Sequence, residues 1–210
     1  MARYADNHGT IRTLSDREVD ILLRTTGERR AGFRDHCLFA FALATGLRMG
    51  ELLALNIGDI FTEAGGVRRL ISLKVWKGSK REGASKRAKA QEVRLPEGLR
   101  SKLARLLLNM ARDTYSTKPE APLFASVRRR RLSERMARAA FQRWQEESGF
   151  ERRFTFHELR HTAVTGIYRR SGGDIKAAQR FARHADIGTT QRYAHVSDER
   201  MGQLCELMPC

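Results

Sequence analysis

Residues 154–170, FTFHELRHTAVTGIYRR, contain two overlapping patterns that predict unrelated chemistry. His157-Glu158-x-x-His161 matches the zinc-protease signature, in which two histidines bind the metal and the glutamate acts as general base. His157-x-x-Arg160-His161 instead places a cation beside the histidines on one face of a helix, an arrangement suited to binding phosphate. The remaining sequence has to distinguish a metal site from an anion site.

The residues around these patterns disfavour the zinc hypothesis. Thr155 and Glu158 have the spacing of a helix-capping box, which would use the glutamate to bind the start of its own helix. Arg160 would lie beside the dication, and zinc would need a third protein ligand. The longer metzincin pattern fails, because Val164 stands at its glycine position. We therefore expect a capped helix without a bound metal.

The composition points to a polyanionic partner. The 210 residues include 40 Lys and Arg against 24 Asp and Glu, which gives a formal net charge of +16 and a pI of 10.8. Such an excess is typical of nucleic-acid-binding proteins, although a basic surface without chemistry would have the same balance. The three cysteines match no metal or redox spacing. No apolar run approaches the ~20 residues that span a bilayer, and we expect a cytoplasmic, nucleoid-associated protein.

The hydrophobic patterns predict an α+β fold that is mainly helical, with one small antiparallel sheet. The predicted helices cover about 15–26, 32–45, 49–55, 97–115, 133–148, 155–171 and 174–184, followed by a short helix that starts at Thr189-Thr190 and holds Tyr193. RRLISLKVW and QEVRLP are the predicted strands, NIGDI is a predicted turn, and KGSKREGASKRAKA is the predicted hairpin tip. The predicted organisation is a flexible segment (1–13), a catalytic domain (14–196) and a C-terminal helix or tail (197–210).

Two further stretches complete a recognisable set of boxes. ATGLRMGEL places Arg48 just after a buried helix and a glycine, and RHADIGTTQRYAHV places His184 nine residues before Tyr193. Together with the histidine–arginine–histidine box, and in this order, they resemble the tyrosine recombinases, or phage-type integrases. The resemblance covers about Leu14–Val196, and it implies the catalytic-domain fold of that family.

The resemblance implies a set of roles for these residues. Arg48 and Arg160 would clamp the non-bridging oxygens of a phosphodiester with their planar guanidinium groups. His184 would add a hydrogen bond to the same oxygens, and His157 would accept the nucleophile's proton. Tyr193 would attack the phosphorus and form a 3′-phosphotyrosine. This chemistry needs no metal, nucleotide or other cofactor.

The family also uses a lysine on the strand hairpin as general acid for the leaving 5′-oxygen. Counting forward from the first strand gives Lys77, and counting back from the second gives Lys86. Lys77 is preferred, because a residue at a strand end is held better than one in mid-loop. Glu51 is expected to support Arg48, and His161 to be structural rather than catalytic. The remaining basic residues expected to contact phosphates, or simply to be solvated, are Lys80, Lys86, Lys89, Arg128, Arg129, Arg130 and Arg131.

The predicted function is site-specific recombination of double-stranded DNA by integration, excision or inversion, with a homotetramer assembled on DNA. The alternatives are type IB topoisomerase-like relaxation, a DNA-binding regulator without activity, and the zinc hydrolase considered above. Most relatives have a further DNA-clamping domain of roughly 100 residues, so the chain is either a naturally short recombinase or a truncated one. In the family a C-terminal segment docks into a neighbouring subunit, and here its apolar face would be Leu204, Leu207 and Met208.

Overall fold

The computed structural model describes residues 12–73, 91–184, 186–191 and 193, and the structural statements below concern these residues. They form two compact units. The larger unit covers Arg12–Ala163, and the smaller one comprises the described residues from Val164 onward. The predicted domain boundaries at 13 and 196 are not tested by this division.

The predicted fold class is confirmed, since the described residues form helices and one two-stranded antiparallel sheet. The helices are α1 (Asp16–Glu28), α2 (Phe33–Thr45), α3 (Met49–Ala54), α4 (Ile57–Ile60), α5 (Glu97–Arg112), α6 (Glu134–Glu147), α7 (Phe156–Arg170), α8 (Ile175–Ala182) and α9 (Gly188–Gln191), with a 3₁₀ turn at Arg30–Gly32 before α2. The strands are β1 (Leu70–Leu73) and β2 (Gln91–Arg94). None of the described helices is long and apolar enough to cross a membrane.

Capping residues explain where several helices begin. Ser15 accepts a hydrogen bond from the Glu18 backbone, and the Glu18 side chain binds the Ser15 backbone, which completes the predicted capping box. Ser133 caps α6, and Asp174 accepts two backbone N–H groups at the start of α8. NIGDI is a helical turn, contrary to the prediction of a plain turn, because Asn56 begins α4 with its own capping box.

The sheet is short and forms between the two predicted strands. β1 and β2 pair in antiparallel register, with Leu70 opposite Arg94 and Ile71 opposite Val93. Ile71 and Val93 are buried, whereas their neighbours along the strands are exposed. This alternation buries one face of the sheet against the helices. The predicted hairpin tip falls within 74–90, outside the described residues.

Helix α2 is the centre of the larger unit. Ten of its thirteen residues are buried, and it packs against α1, α5 and α6. Phe39 contacts Phe141 of α6 and Phe156 of α7 edge to face, with ring centroids 5.2 and 6.1 Å apart. Such pairs contribute about 0.5–1.5 kcal/mol each beyond the burial of area. The position of α2 therefore sets the positions of the loop that follows it and of the first turn of α7.

The smaller unit has a core of its own. Val164, Ala178, Ala182 and Tyr193 are buried together, and Tyr168 and Phe181 pack against them. Three of the four buried side chains are alanine or valine, so the apolar area they can remove from water is modest. Tyr193 contributes the largest side chain of this group.

Candidate active site

The turn between α2 and α3 presents Arg48. Gly46 ends α2 in the left-handed conformation (φ 60°), and its N–H donates to the carbonyl of Ala42. Leu47 is buried, which anchors the turn. Arg48 then begins α3 with an extended backbone. The short loop thus holds Arg48 at the junction of two helices.

Glu51 binds Arg48 twice. Its carboxylate accepts the backbone N–H of Arg48 at 2.7 Å and contacts the Arg48 guanidinium at 3.2 Å. The Arg48 side chain is half exposed, whereas Glu51 is mostly buried. The structure therefore contains the Arg48–Glu51 pair that the sequence analysis expected, although it does not test a catalytic role for either residue.

Helix α7 carries the second arginine. Arg160 is buried and donates to the carbonyl oxygen of Gly46, two residues before Arg48. The two arginines of the predicted phosphate clamp come from boxes more than a hundred residues apart in sequence. The structure brings Arg160 to the turn that presents Arg48.

The histidines of the same box lie one turn apart on α7. The rings of His157 and His161 meet edge to face, with centroids 4.5 Å apart. His157 is exposed and His161 is half-buried. Exposure of His157 is what a proton acceptor needs if it is to reach a bound substrate.

Glu158 is engaged at the start of its own helix. Its carboxylate accepts the backbone N–H of Thr155 and pairs with the Arg12 guanidinium at 3.6 Å. This is the capping arrangement that the sequence predicted, and it differs from that of a general base directed at a metal-bound water. Among the described residues, no group of three or more His, Cys, Asp or Glu side chains is placed to hold a metal ion.

His184 and Tyr193 lie together in the smaller unit. Their rings stack with centroids 6.3 Å apart and an interplanar angle of 24°. His184 Nδ1 contacts the hydroxyl of Thr190 at 2.9 Å, and the backbone N–H of Tyr193 donates to the Thr190 carbonyl at 2.9 Å. Thr190 is fully buried, so one residue fixes both members of the pair.

Two predicted features differ in detail or cannot be compared. The helix before Tyr193 begins at Gly188 and ends at Gln191, so the tyrosine follows α9 in a turn instead of lying within it.

Several residues named in the sequence analysis lie outside the described residues. They are the hairpin residues Lys77, Lys80, Lys86 and Lys89 and the tail residues Leu204, Leu207 and Met208. The choice between Lys77 and Lys86 as general acid therefore stays a prediction.

Two members of the Arg128–Arg131 run have intramolecular partners. Arg131 donates to the carbonyls of Leu53 and Leu55 and to the Asn56 side chain. Arg129 binds the Thr114 hydroxyl and has positive φ (59°). Arg131 thus fastens the loop before α6 to the end of α3 and the start of α4, and Arg129 fastens it to the chain that follows α5. Phosphate binding by the run stays a prediction.

The sequence analysis did not identify Gly46, Thr162 or Thr190 as parts of the site. Gly46 acts through its carbonyl oxygen, and Thr162 binds a backbone N–H of the segment before α1. Gly46 lies within the first box, Thr162 directly follows the histidine–arginine–histidine box, and Thr190 is predicted only as part of the start of a helix. No local spacing indicates the contacts that these three residues make.

Comparisons with known proteins match this architecture. Residues 12–200 match the sequence model of the phage integrase family. Tyrosine recombinase XerC of Pelotomaculum thermopropionicum is 30% identical over 174 residues, which cover 81% of this chain and 52% of the relative. Tyrosine recombinase XerD of Oceanobacillus iheyensis is 30% identical over 190 residues, which cover 90% of this chain and 59% of the relative. The chain thus spans little more than half the length of these relatives.

Solved structures agree on the fold. The crystal structure of XerA recombinase superposes with a TM-score of 0.72 at 25% identity, over 96% of this chain and 66% of that one. The catalytic domain of bacteriophage HP1 integrase superposes with a TM-score of 0.55 at 19% identity, over 95% of this chain and 96% of that one. The resemblance inferred from the three boxes is therefore confirmed, and the chain belongs to the phage integrase family of tyrosine recombinases.

Proposed function

We propose that this chain is the catalytic region of a site-specific DNA recombinase that cleaves and rejoins strands through a 3′-phosphotyrosine. The contact between Arg160 and the carbonyl of Gly46 carries the proposal. It joins the two boxes that supply guanidinium groups at one place, where a phosphodiester can be bound by Arg48 and Arg160 together. Two such cations offset the charge that develops on the non-bridging oxygens in the transition state.

The remaining steps follow from the residues of the other boxes. Tyr193 Oη attacks phosphorus, the bond to the 5′-oxygen breaks, that oxygen takes a proton from the proposed general acid Lys77, and the DNA 3′-phosphate becomes attached to the tyrosine. The phenol has an ordinary pKa of about 10, so it needs a proton acceptor at neutral pH. His157 is the proposed acceptor, and His184 is a proposed donor to the phosphate oxygens. Religation by a different 5′-hydroxyl reverses these steps and completes strand exchange.

Double-stranded DNA is the proposed substrate, in a homotetramer that assembles on two duplexes in the cytoplasm, at the nucleoid. A net charge of +16 supports binding to a polyanion. Among structural neighbours, XerH site-specific recombinase was solved bound to difH substrate, and Tn1549 transposon integrase was solved with transposon right-end DNA. We propose no cofactor, because the tyrosine, guanidinium, imidazole and lysine side chains would together supply each step.

Covalent trapping tests the nucleophile. Wild type and Tyr193→Phe are incubated with supercoiled plasmid in excess EDTA and quenched with detergent, and protein attached to DNA is then measured. We expect an adduct with wild type and none with Tyr193→Phe, because only the phenol oxygen can form the phosphotyrosine bond. Tyr168→Phe is the matched control, since Tyr168 packs against the same cluster and should leave the adduct in place. An adduct from Tyr193→Phe, or none from wild type, would contradict the proposal.

A substrate with sulfur in place of the leaving 5′-oxygen tests the general acid. A thiolate leaves without a proton, so loss of the acid should matter only for the oxygen substrate. We expect Lys77→Ala to slow cleavage of ordinary DNA by roughly 10²–10⁴-fold and to cleave the sulfur substrate at close to the wild-type rate. Lys86→Ala is the control. The reverse behaviour of the two variants would assign the role to Lys86.

The second candidate activity, type IB topoisomerase-like relaxation, uses the same chemistry without an exchange of partners. The two are separated by their products when differently labelled DNA molecules are mixed. Relaxed topoisomers alone would indicate relaxation, whereas joints between labels would indicate recombination.

A further inference from the structure

The segment before α1 is bound to the helix that carries the histidine–arginine–histidine box. We name Arg12–Leu14 the pre-α1 segment. The backbone N–H of Leu14, a buried residue, donates to the hydroxyl of Thr162 at 2.9 Å. That hydroxyl in turn donates to the carbonyl of Glu158 at 2.7 Å. Thr162 thus uses both its donor and an acceptor position to connect the pre-α1 segment with the first turns of α7.

Further contacts join the same two parts of the chain. Arg12 pairs with Glu158 at 3.6 Å and donates to the carbonyl of Arg153 at 3.1 Å. Arg152 donates to the carbonyl of Thr13 at 3.5 Å and forms hydrogen bonds of 3.1 Å with each carboxylate oxygen of Glu18. The pre-α1 segment is therefore attached to the chain immediately before α7 as well as to the helix itself.

The geometry of a helix gives the Thr162 contact a particular effect. Arg160 and Thr162 are two residues apart, so their side chains leave α7 roughly 200° apart around its axis. Arg160 is held by the carbonyl of Gly46, and Thr162 by the backbone of Leu14. Two attachments on nearly opposite sides resist rotation of the helix in either direction. The buried Phe156 and Leu159 also pack α7 into the core, and the two polar attachments add to this packing in fixing the rotation of the helix.

We infer that Thr162 is a positioning residue for strand cleavage, which acts by fixing the rotation of α7 and with it Arg160, His157 and His161. The inference rests on the proposed function, because it assigns Thr162 an effect on the same reaction. It goes beyond that function by giving the pre-α1 segment a part in the site. Residue 12 is also where the match to the family begins. The contact between Leu14 and Thr162 therefore involves the first residues of the region that the chain shares with the family.

Thr162→Val and Thr162→Ser separate the hydroxyl from the shape of the side chain. Valine keeps the branched shape and removes the hydroxyl, whereas serine keeps the hydroxyl. We expect Thr162→Val to lower the rate of adduct formation at saturating plasmid by about tenfold or more, since displacements of about 1 Å can cost as much as a hundredfold. The affinity for DNA should stay close to that of wild type, and Thr162→Ser should stay close to wild type in both measurements.

Thr165→Val, a change of the same atoms one turn further along α7, is the matched control and should cleave like wild type. Equal cleavage by Thr162→Val and wild type, or equal impairment of the valine and serine variants, would overturn the inference. The NMR chemical shifts of the His157 and His161 imidazoles provide a measurement without DNA. They should move in Thr162→Val, and unchanged shifts would overturn the inference. Absence of an adduct from wild type would count against the proposed function, while the imidazole shifts would still decide the role of Thr162.

Discussion

His36 is a titratable residue in the core of the larger unit, away from the predicted chemistry. Its Nδ1 lies 2.9 Å from the carbonyl of Leu23, to which it donates, and its Nε2 lies 2.9 Å from the Lys102 ammonium, from which it accepts. Burial disfavours the charged ring, and the neighbouring Lys102 adds repulsion, so the pKa of His36 is lowered to about 4. The ring is therefore neutral at physiological pH and bridges α2 to α5.

This shift makes stability depend on pH. In the unfolded chain the imidazole takes up a proton near pH 6.5, whereas in the folded protein it does so only near pH 4. The unfolded state therefore binds more protons between these values, and the free energy of unfolding falls as pH decreases through this window. We expect the decrease to set in around pH 6.5, to be steepest between 6.5 and 4, and to level off below 4.

Urea unfolding at a series of pH values checks this expectation in wild type and His36→Gln. Glutamine can accept from Lys102 but does not titrate, so the variant should show a flatter profile between pH 6.5 and 4. Parallel profiles for the two proteins would assign the acid sensitivity to other groups. Cys37 is unsuitable as a probe in this range, because burial raises the pKa of its thiol to about 12.

At the scale of single residues, the sequence identified the candidate site side chains better than it identified the groups that they contact. Arg48, Arg160 and Tyr193 were found because each lies in a short local pattern. The carbonyl of Gly46 and the hydroxyl of Thr162 were not found, because their partners are 114 and 148 residues away. Such contacts depend on tertiary packing, which no local spacing encodes.

The C-terminal end of α2 connects backbone conformation with the proposed chemistry. Gly46 has φ 60°, a region that L-residues other than glycine occupy at a cost of about 1–2 kcal/mol. Its carbonyl accepts from Arg160, and Arg48 follows two residues later. A change in this one residue would therefore affect both proposed phosphate ligands.

Gly46→Ala and Gly149→Ala test that connection as a matched pair. Gly149 follows α6 with φ 70°, and an added methyl group there would meet nothing within 4 Å. Both variants should lose about 1 kcal/mol of stability from backbone strain alone. We expect only Gly46→Ala to lose adduct formation as well, because only that strain moves the carbonyl that holds Arg160. Equal activity of the two variants in the trapping assay would contradict this expectation.

Among the elements, those with local capping signals agreed best with the sequence. Ser15, Ser133 and Asp174 each preceded a helix that the structure contains. The helical turn at NIGDI was missed, because four residues are too few to show a helical period. The prediction that Tyr193 lies within a helix was wrong, because α9 ends at Gln191. The end of so short a helix is set by the contacts around Thr190 and not by helix propensity.

The two units differ greatly in how much they bury. The larger unit has an extended aromatic core around α2, whereas four buried residues form the described core of the smaller one. Local stability follows the amount of buried apolar contact. The fold class could be predicted, because the period of the apolar residues indicates helices and strands. The unequal division of the core could not, since it depends on which apolar faces of these elements pack together.

Native-state hydrogen exchange tests whether the smaller unit is locally less stable than the larger one. We expect the backbone amides of α8 to exchange faster than those of α2, and Ala178→Gly to accelerate exchange in α8 while leaving α2 unchanged. Mass spectrometry of peptides from the two helices provides the measurement. Equal protection of α8 and α2, with a common response to Ala178→Gly, would show that the described residues unfold as one cooperative unit.

Tyr193 is both the proposed reagent and the largest member of the small core, with 7% of its surface exposed. Formation of the proposed phosphotyrosine would attach a DNA strand to this mostly covered side chain, and we expect the ring to move out of the cluster to accommodate it. While the proposed intermediate lasted, the smaller unit would then lack its largest buried side chain. Rejoining of the DNA would let the ring pack again, and the burial regained would favour that step. The burial of Tyr193 would in this way favour the rejoined product over the proposed covalent intermediate.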